Sequence, residues 1–77
     1  MIILDIVRTS TRYTVETIVF KGKRYLQLAK LFMSDKTDGW QYQTSILLDY
    51  EATQQFIESI QGIEMEDVLT ELDKEVK

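Results

Sequence analysis

Hydrophobic and polar positions alternate along the first two thirds of the chain, and the spacing changes to a helical one in the last third. Tyr13 to Phe20 reads Tyr-Thr-Val-Glu-Thr-Ile-Val-Phe, a β-branched and aromatic run that suits a pleated, half-buried strand. Lys21-Gly22-Lys23 then predicts a tight turn, because Gly22 takes the positive φ that hairpin loops demand. Tyr25 to Met33 resumes a strand, with Leu26, Leu28 and Phe32 on one face. Lys30 interrupts that face, which fits either a β-bulge near Ala29 or Lys30, or a lysine stem lying over apolar surface. Ser34 to Gly39 is a polar loop. From Trp40 to Leu48 the alternation returns, and a regular strand puts Trp40, Tyr42, Thr44, Ile46 and Leu48 on a shared face. The apolar opening, Ile2 to Val7, predicts a further strand, joined to the next by the polar stretch Thr9 to Arg12.

Asp49 is placed to cap a helix, and Glu51 in its first turn complements the positive end of the dipole. Ala52, Phe56 and Ile60, with Ile57 beside them, fall at helical spacing, and Gly62 supplies a stop. Beyond it Met65, Val68, Leu69, Leu72 and Val76 form a second apolar stripe, with Glu64, Glu66, Asp67, Glu71, Asp73 and Glu75 available to face water. The expectation is a single α+β domain over 1–77, with a curved four-stranded antiparallel sheet in 1–48 and, in 49–77, a helix and a short helical tail.

Size sharpens this picture. A chain of 77 residues buries a small fraction of its surface, and without cysteine or histidine it has neither a disulfide nor a zinc cluster to support a thin core. Self-association is the default expectation. No apolar run is long enough to span a bilayer, and Met1 to Leu4 is too short and lacks the basic leader of a signal peptide, so a cytoplasmic protein away from membranes is expected. The net charge of -4 argues against indiscriminate duplex binding. Its distribution is uneven. Residues 1–48 carry seven basic against four acidic residues, or +3, and residues 49–77 carry two against nine, or -7. Only the sheet half favours a polyanion.

Phe20-Lys21-Gly22-Lys23, Leu26 to Met33, the Asp35 to Gly39 turn, Ile46-Leu47-Leu48, Gln55-Phe56 and the acidic segment Ile63 to Leu72 follow one another in an order that resembles the positive-cofactor-four (transcriptional coactivator) family of single-stranded DNA-binding domains. The outline is shared with Pur-alpha repeats and Whirly proteins. The likeness runs from about Thr14 to Leu72. It implies a homodimer whose two curved sheets form channels for unpaired strands, with the helices completing the core and the dimer contact. Phe56, Ile60, Met65, Val68, Leu69 and Leu72 are the candidate interface residues, and the spacing of the last four fits either a dimer seam or packing on the sheet. The likeness also implies ligand contacts at Phe20, Lys21, Lys23 and Phe32. The chain departs from the family before the last strand, where Trp40 to Ser45 replaces a basic, proline- and glycine-containing stretch. Trp40 and Tyr42 would there substitute stacking for charge. The short length fits a bacterial or phage version.

Aromatic rings stack on any base and cations track phosphates, so the candidate contacts are Arg8, Arg12, Phe20, Lys21, Lys23, Arg24, Lys30, Phe32, Trp40 and Tyr42. Each has a plainer reading. The hairpin cations keep a turn solvated, Arg8 and Arg12 are ordinary surface arginines, and a domain this small needs at least two of the four large aromatics Phe20, Phe32, Trp40 and Tyr42 in its core. Glu64, Glu66 and Asp67 lack the loop of a calcium site. There is no histidine or cysteine, no phosphate-cradling glycine loop and no serine in a nucleophile context, so neither catalysis nor a cofactor is expected. The leading expectation is a dimeric binder of single-stranded DNA or RNA in transcription, replication or repair, which leaves room for a transcription or replication protein as partner. The competing one is a phage-type inhibitor or interaction module whose acidic helices contact a basic polymerase or nuclease.

Overall fold

A computed structural model describes residues 1–36 and 39–74. Four strands, β1 (Ile2–Val7), β2 (Thr11–Phe20), β3 (Lys23–Ser34) and β4 (Gly39–Leu48), are followed by helices α1 (Tyr50–Gln61) and α2 (Met65–Leu72). The strands pair antiparallel in the order β1-β2-β3-β4, so each hairpin places sequence neighbours side by side. This is the α+β architecture that the alternation predicted. The middle of the predicted Ser34–Gly39 loop and Val76, the end of the second stripe, lie outside the described residues.

The β2–β3 turn is a two-residue loop. Lys21 and Gly22 both take positive φ, 51° and 80°, the pair of left-handed residues that a hairpin with right-handed strand twist requires. Lys23 consequently opens β3, paired with Phe20, and is no longer part of the turn.

Paired residues in a ladder point to the same side of the sheet, so the register assigns every side chain to a face. On the helix side lie Leu26, Leu28, Lys30 and Phe32 of β3, with Tyr13, Val15 and Thr17 of β2 and Thr44, Ile46 and Leu48 of β4. On the open side lie Gln27, Ala29, Leu31 and Met33, with Arg12, Thr14, Glu16 and Phe20 of β2. The expected shared face of β4 is corrected here. The β3–β4 register shifts between Lys30 and Leu31, because Lys30 pairs with Thr44 and Leu31 with Tyr42, which leaves Gln43 as an extra residue. The bulge reverses the alternation, so Trp40 and Tyr42 face the open side while Thr44, Ile46 and Leu48 face the helices. Lys30 itself keeps its place on the helix side, with Nζ 5.9 Å from the centre of the Tyr13 ring. A second irregularity, between Ile2 and Leu4, leaves Ile3 extra in β1.

Asp49 caps α1 as its position predicts, its Oδ1 accepting from the Ala52 backbone N–H at 2.9 Å. The Thr53 hydroxyl donates to the Leu48 carbonyl and ties the helix start to β4. Gly62 does follow the last residue of α1, but with φ -88° and ψ 1°. The helix therefore ends without the left-handed conformation that makes glycine the usual stop.

The core is very small. Among the described residues the buried ones are Leu26, Ala29 and Leu31, with Gln27. None of Phe20, Phe32, Trp40 and Tyr42 is buried, contrary to the two expected in the core, and no residue of either helix is. The reason is geometric: α1 lies over the Leu26–Leu48 end of the sheet alone, and α2 forms no packed layer on any strand.

Candidate nucleic-acid interface

The open side of the sheet is a surface of mixed chemistry laid out in rows. Nearest the β1–β2 turn, Val7, Arg12, Leu31 and Tyr42 lie across the four strands, with Met33 and Trp40 beyond them. The next row is Asp5, Thr14, Ala29 and Ser45, whose middle and far members are short. It is followed by Ile2, Glu16, Gln27 and Leu47. At the hairpin end, Phe20 and Lys23 form the last cross-strand pair, and Lys21 sits at the tip with Nζ 5.4 Å from the Phe20 ring centre.

The two groups of aromatics thus stand at opposite ends of one face. Ten residues of β3 separate Met33, the partner of Trp40, from Lys23, the partner of Phe20, a distance of about 33 Å at 3.3 Å per residue. Tyr42 is 57% exposed and Phe20 48%, so both offer ring surface to a ligand. Between them lie the short side chains of Thr14, Ala29 and Ser45, then Glu16, Gln27 and Leu47, then Ile18 and Tyr25.

Beside Tyr42 the face opens into a notch of about 150 Å³ lined by Ile2, Asp5, Arg12, Thr14, Glu16 and Leu31 as well. Arg12 dominates its electrostatics. Its Nε donates to Asp5 Oδ1 at 2.7 Å and its Nη2 to Oδ2 at 2.6 Å, a bidentate pair, while the guanidinium carbon lies 5.9 Å from the centre of the Trp40 ring. The hydrogen bonds from Arg12 hold the Asp5 carboxyl below its ordinary 3.8 and raise the Arg12 guanidinium in turn. The hydroxyl of Thr14 is buried and has no hydrogen-bond partner in the protein, which leaves an unsatisfied group in the notch wall.

Of the ten candidate contacts, the open side collects Arg12, Phe20, Lys23, Trp40 and Tyr42, with Lys21 at its end. Arg24, Lys30 and Phe32 belong to the helix side. Arg8 follows β1 and rests 5.9 Å from the ring centre of Tyr13, a helix-side residue. Thr14, Glu16, Gln27 and Ser45 share the open face and were not singled out by sequence. Their signal was alternation with Phe20 along β2 and with Lys23 along β3, usable only once the register is known.

No protein-family model, curated protein or solved structure matches the chain. The site is therefore read from its own chemistry. Among the described residues no group of three or more His, Cys, Asp or Glu is placed to hold a metal ion, and no helix is long and apolar enough to cross a membrane.

Proposed function

We propose that the chain is a single-stranded nucleic-acid-binding protein of weak sequence preference, working as a homodimer in transcription, replication or repair. The observation that carries this is the bulge at Gln43, which turns Trp40 and Tyr42 to the same open face as Phe20, Lys23 and Arg12. Exposed aromatic rings at both ends of one sheet face suit a strand whose bases are unpaired, because every base has a face to stack. The sequence likeness to the coactivator-type single-strand binders favours the same reading.

The reading narrows the contact set. Arg12, Phe20, Lys21, Lys23, Trp40 and Tyr42 form the ligand track, and Arg8, Arg24, Lys30 and Phe32 serve the other side. With few free cations on the track, stacking contributes more than phosphate neutralisation, and the salt dependence of binding is shallow.

Trp40 is the one tryptophan of the chain, so its fluorescence reports on the track directly. Titration with an oligo-thymidine strand at low salt is expected to quench it. Trp40→Ala is expected to weaken binding, followed by anisotropy of a labelled strand, by about 1 to 3 kcal/mol, the range of one base–aromatic stack. An unbound oligonucleotide at low salt sinks the proposal.

A further inference from the structure

The helix side of the sheet is unfinished. Leu4, Ile6, Tyr13, Phe32 and Ile46 are exposed large side chains on that side. Between α1 and the sheet lies an apolar groove of about 500 Å³, with Ile3, Leu26, Leu48 and Ile57 in its walls. Helix α2 presents Met65, Val68, Leu69 and Leu72 on one stripe, all exposed, and forms no packed layer on the described strands of its own chain.

The amount of surplus surface fits a second copy of the chain. A folded single chain of 9.1 kDa exposes about 4,900 Å² and has a radius of gyration of about 11.5 Å. This chain exposes 6811 Å², has a radius of 15.1 Å and extends 39 × 37 × 21 Å. The surplus is about 1,900 Å² per chain, so two chains together hold about 3,800 Å², inside the range of obligate homodimer interfaces.

The surface is also complementary to itself. The sheet side carries Arg8, Arg24 and Lys30, which have no acidic partner among the described residues, where the ion pairs are Asp5–Arg12 and Glu71–Lys74. The α2 stripe is flanked by Glu64, Glu66, Glu71 and Asp73. Helix against helix would set acids against acids. Helix against the partner's sheet sets acids against bases and buries both apolar surfaces.

We infer that α2 of each chain seats on the helix side of the partner's sheet, beside Ile6, Tyr13 and Lys30, in a reciprocal two-fold dimer. This goes beyond the ligand reading by fixing which surface makes the dimer, and it leaves the open face with Trp40 and Tyr42 outside the interface.

Sedimentation without nucleic acid tests it, so the outcome is independent of whether the ligand reading holds. The wild-type protein at 10 µM is expected at twice 9.1 kDa. Leu69→Lys in α2 and Ile6→Glu on the sheet are each expected to raise the dimer dissociation constant by about 100-fold or more. Mixed in equal amounts, the two variants are expected to regain the two-chain mass, because one helix–sheet contact in the mixed dimer is intact and the other joins Lys to Glu. That recovery counts whether or not the separate variants stay folded. A one-chain wild-type mass, an undisturbed Leu69→Lys dimer or a mixture that stays at the one-chain mass each overturns the inference.

Discussion

At the scale of single residues, two glycines with similar sequence credentials do different work. Gly22 sits at φ 80° with open space around the position of a Cβ, so Gly22→Ala meets no clash and costs the left-handed conformation alone, about 1 kcal/mol. Gly62 has an ordinary φ, and a Cβ there finds nothing nearer than 3.8 Å, so Gly62→Ala is expected to be neutral or slightly stabilising. Urea denaturation of the two variants separates them. The Asp5–Arg12 pair gives a second residue-scale prediction. Asp5 has a folded pKa below 3.8, so its contribution to stability is complete above that value and is lost as the pH falls through the lower, folded one. Thermal melts between pH 5 and pH 2 are expected to show this component in the wild type and not in Asp5→Asn. The same substitution releases Arg12 toward phosphate, so binding of a single strand is expected to tighten and its salt slope to steepen by about 0.7. Nothing in the sequence joined these two residues; they lie seven apart, and it is the β1–β2 register, Asp5 opposite Thr14 and Val7 opposite Arg12, that brings them together.

At the scale of elements, much was legible. The β-branched run of β2, the apolar opening of β1 and the Asp49 cap each carry their own local signal, and the element order follows from them. The cap is expected to be worth about 1 kcal/mol, measured as the stability lost in Asp49→Ala. The bulge was not legible in its place. Lys30 marked a disturbance, but the extra residue stands in the partner strand at Gln43, where the run Trp-Gln-Tyr-Gln-Thr-Ser-Ile satisfies alternation without a break. A period of two hides any single insertion, since each residue remains compatible with either face. Deleting Gln43 tests the register directly. Without the extra residue β4 can pair regularly with Thr44 still opposite Lys30 and Tyr42 opposite Leu31, so Trp40 and Tyr42 keep the open face, and quenching of Trp40 by an oligonucleotide is expected to persist. Lost quenching with antiparallel sheet retained in circular dichroism would show that the pairing beyond Gln43 is not what holds these rings on that face.

At the scale of the whole molecule, a sheet in which Leu26, Ala29 and Leu31 are the buried apolar residues among those described depends on what covers it. The exposed stripes of α1 and α2 and the uncovered sheet side would be closed together, so unfolding is expected to be coupled to dissociation, and the melting temperature is expected to rise with protein concentration. A melting temperature unchanged from 1 to 100 µM would argue for a self-sufficient single chain. Small size and missing cysteines are what raise the expectation of a partner; which faces it would cover depends on the register, which composition does not reveal. Asp5 also carries a consequence beyond its partner Arg12. It is the only charge in β1, and β1 is an edge of the sheet, its outer backbone groups open to another strand. Neutralised by acid or by Asp5→Asn, that edge becomes six uncharged residues of high β-propensity, the kind of segment that templates cross-β growth. The carboxylate that restrains Arg12 is thus also expected to guard this edge against fibril formation, so that Asp5→Asn binds thioflavin T on incubation while the wild type does not.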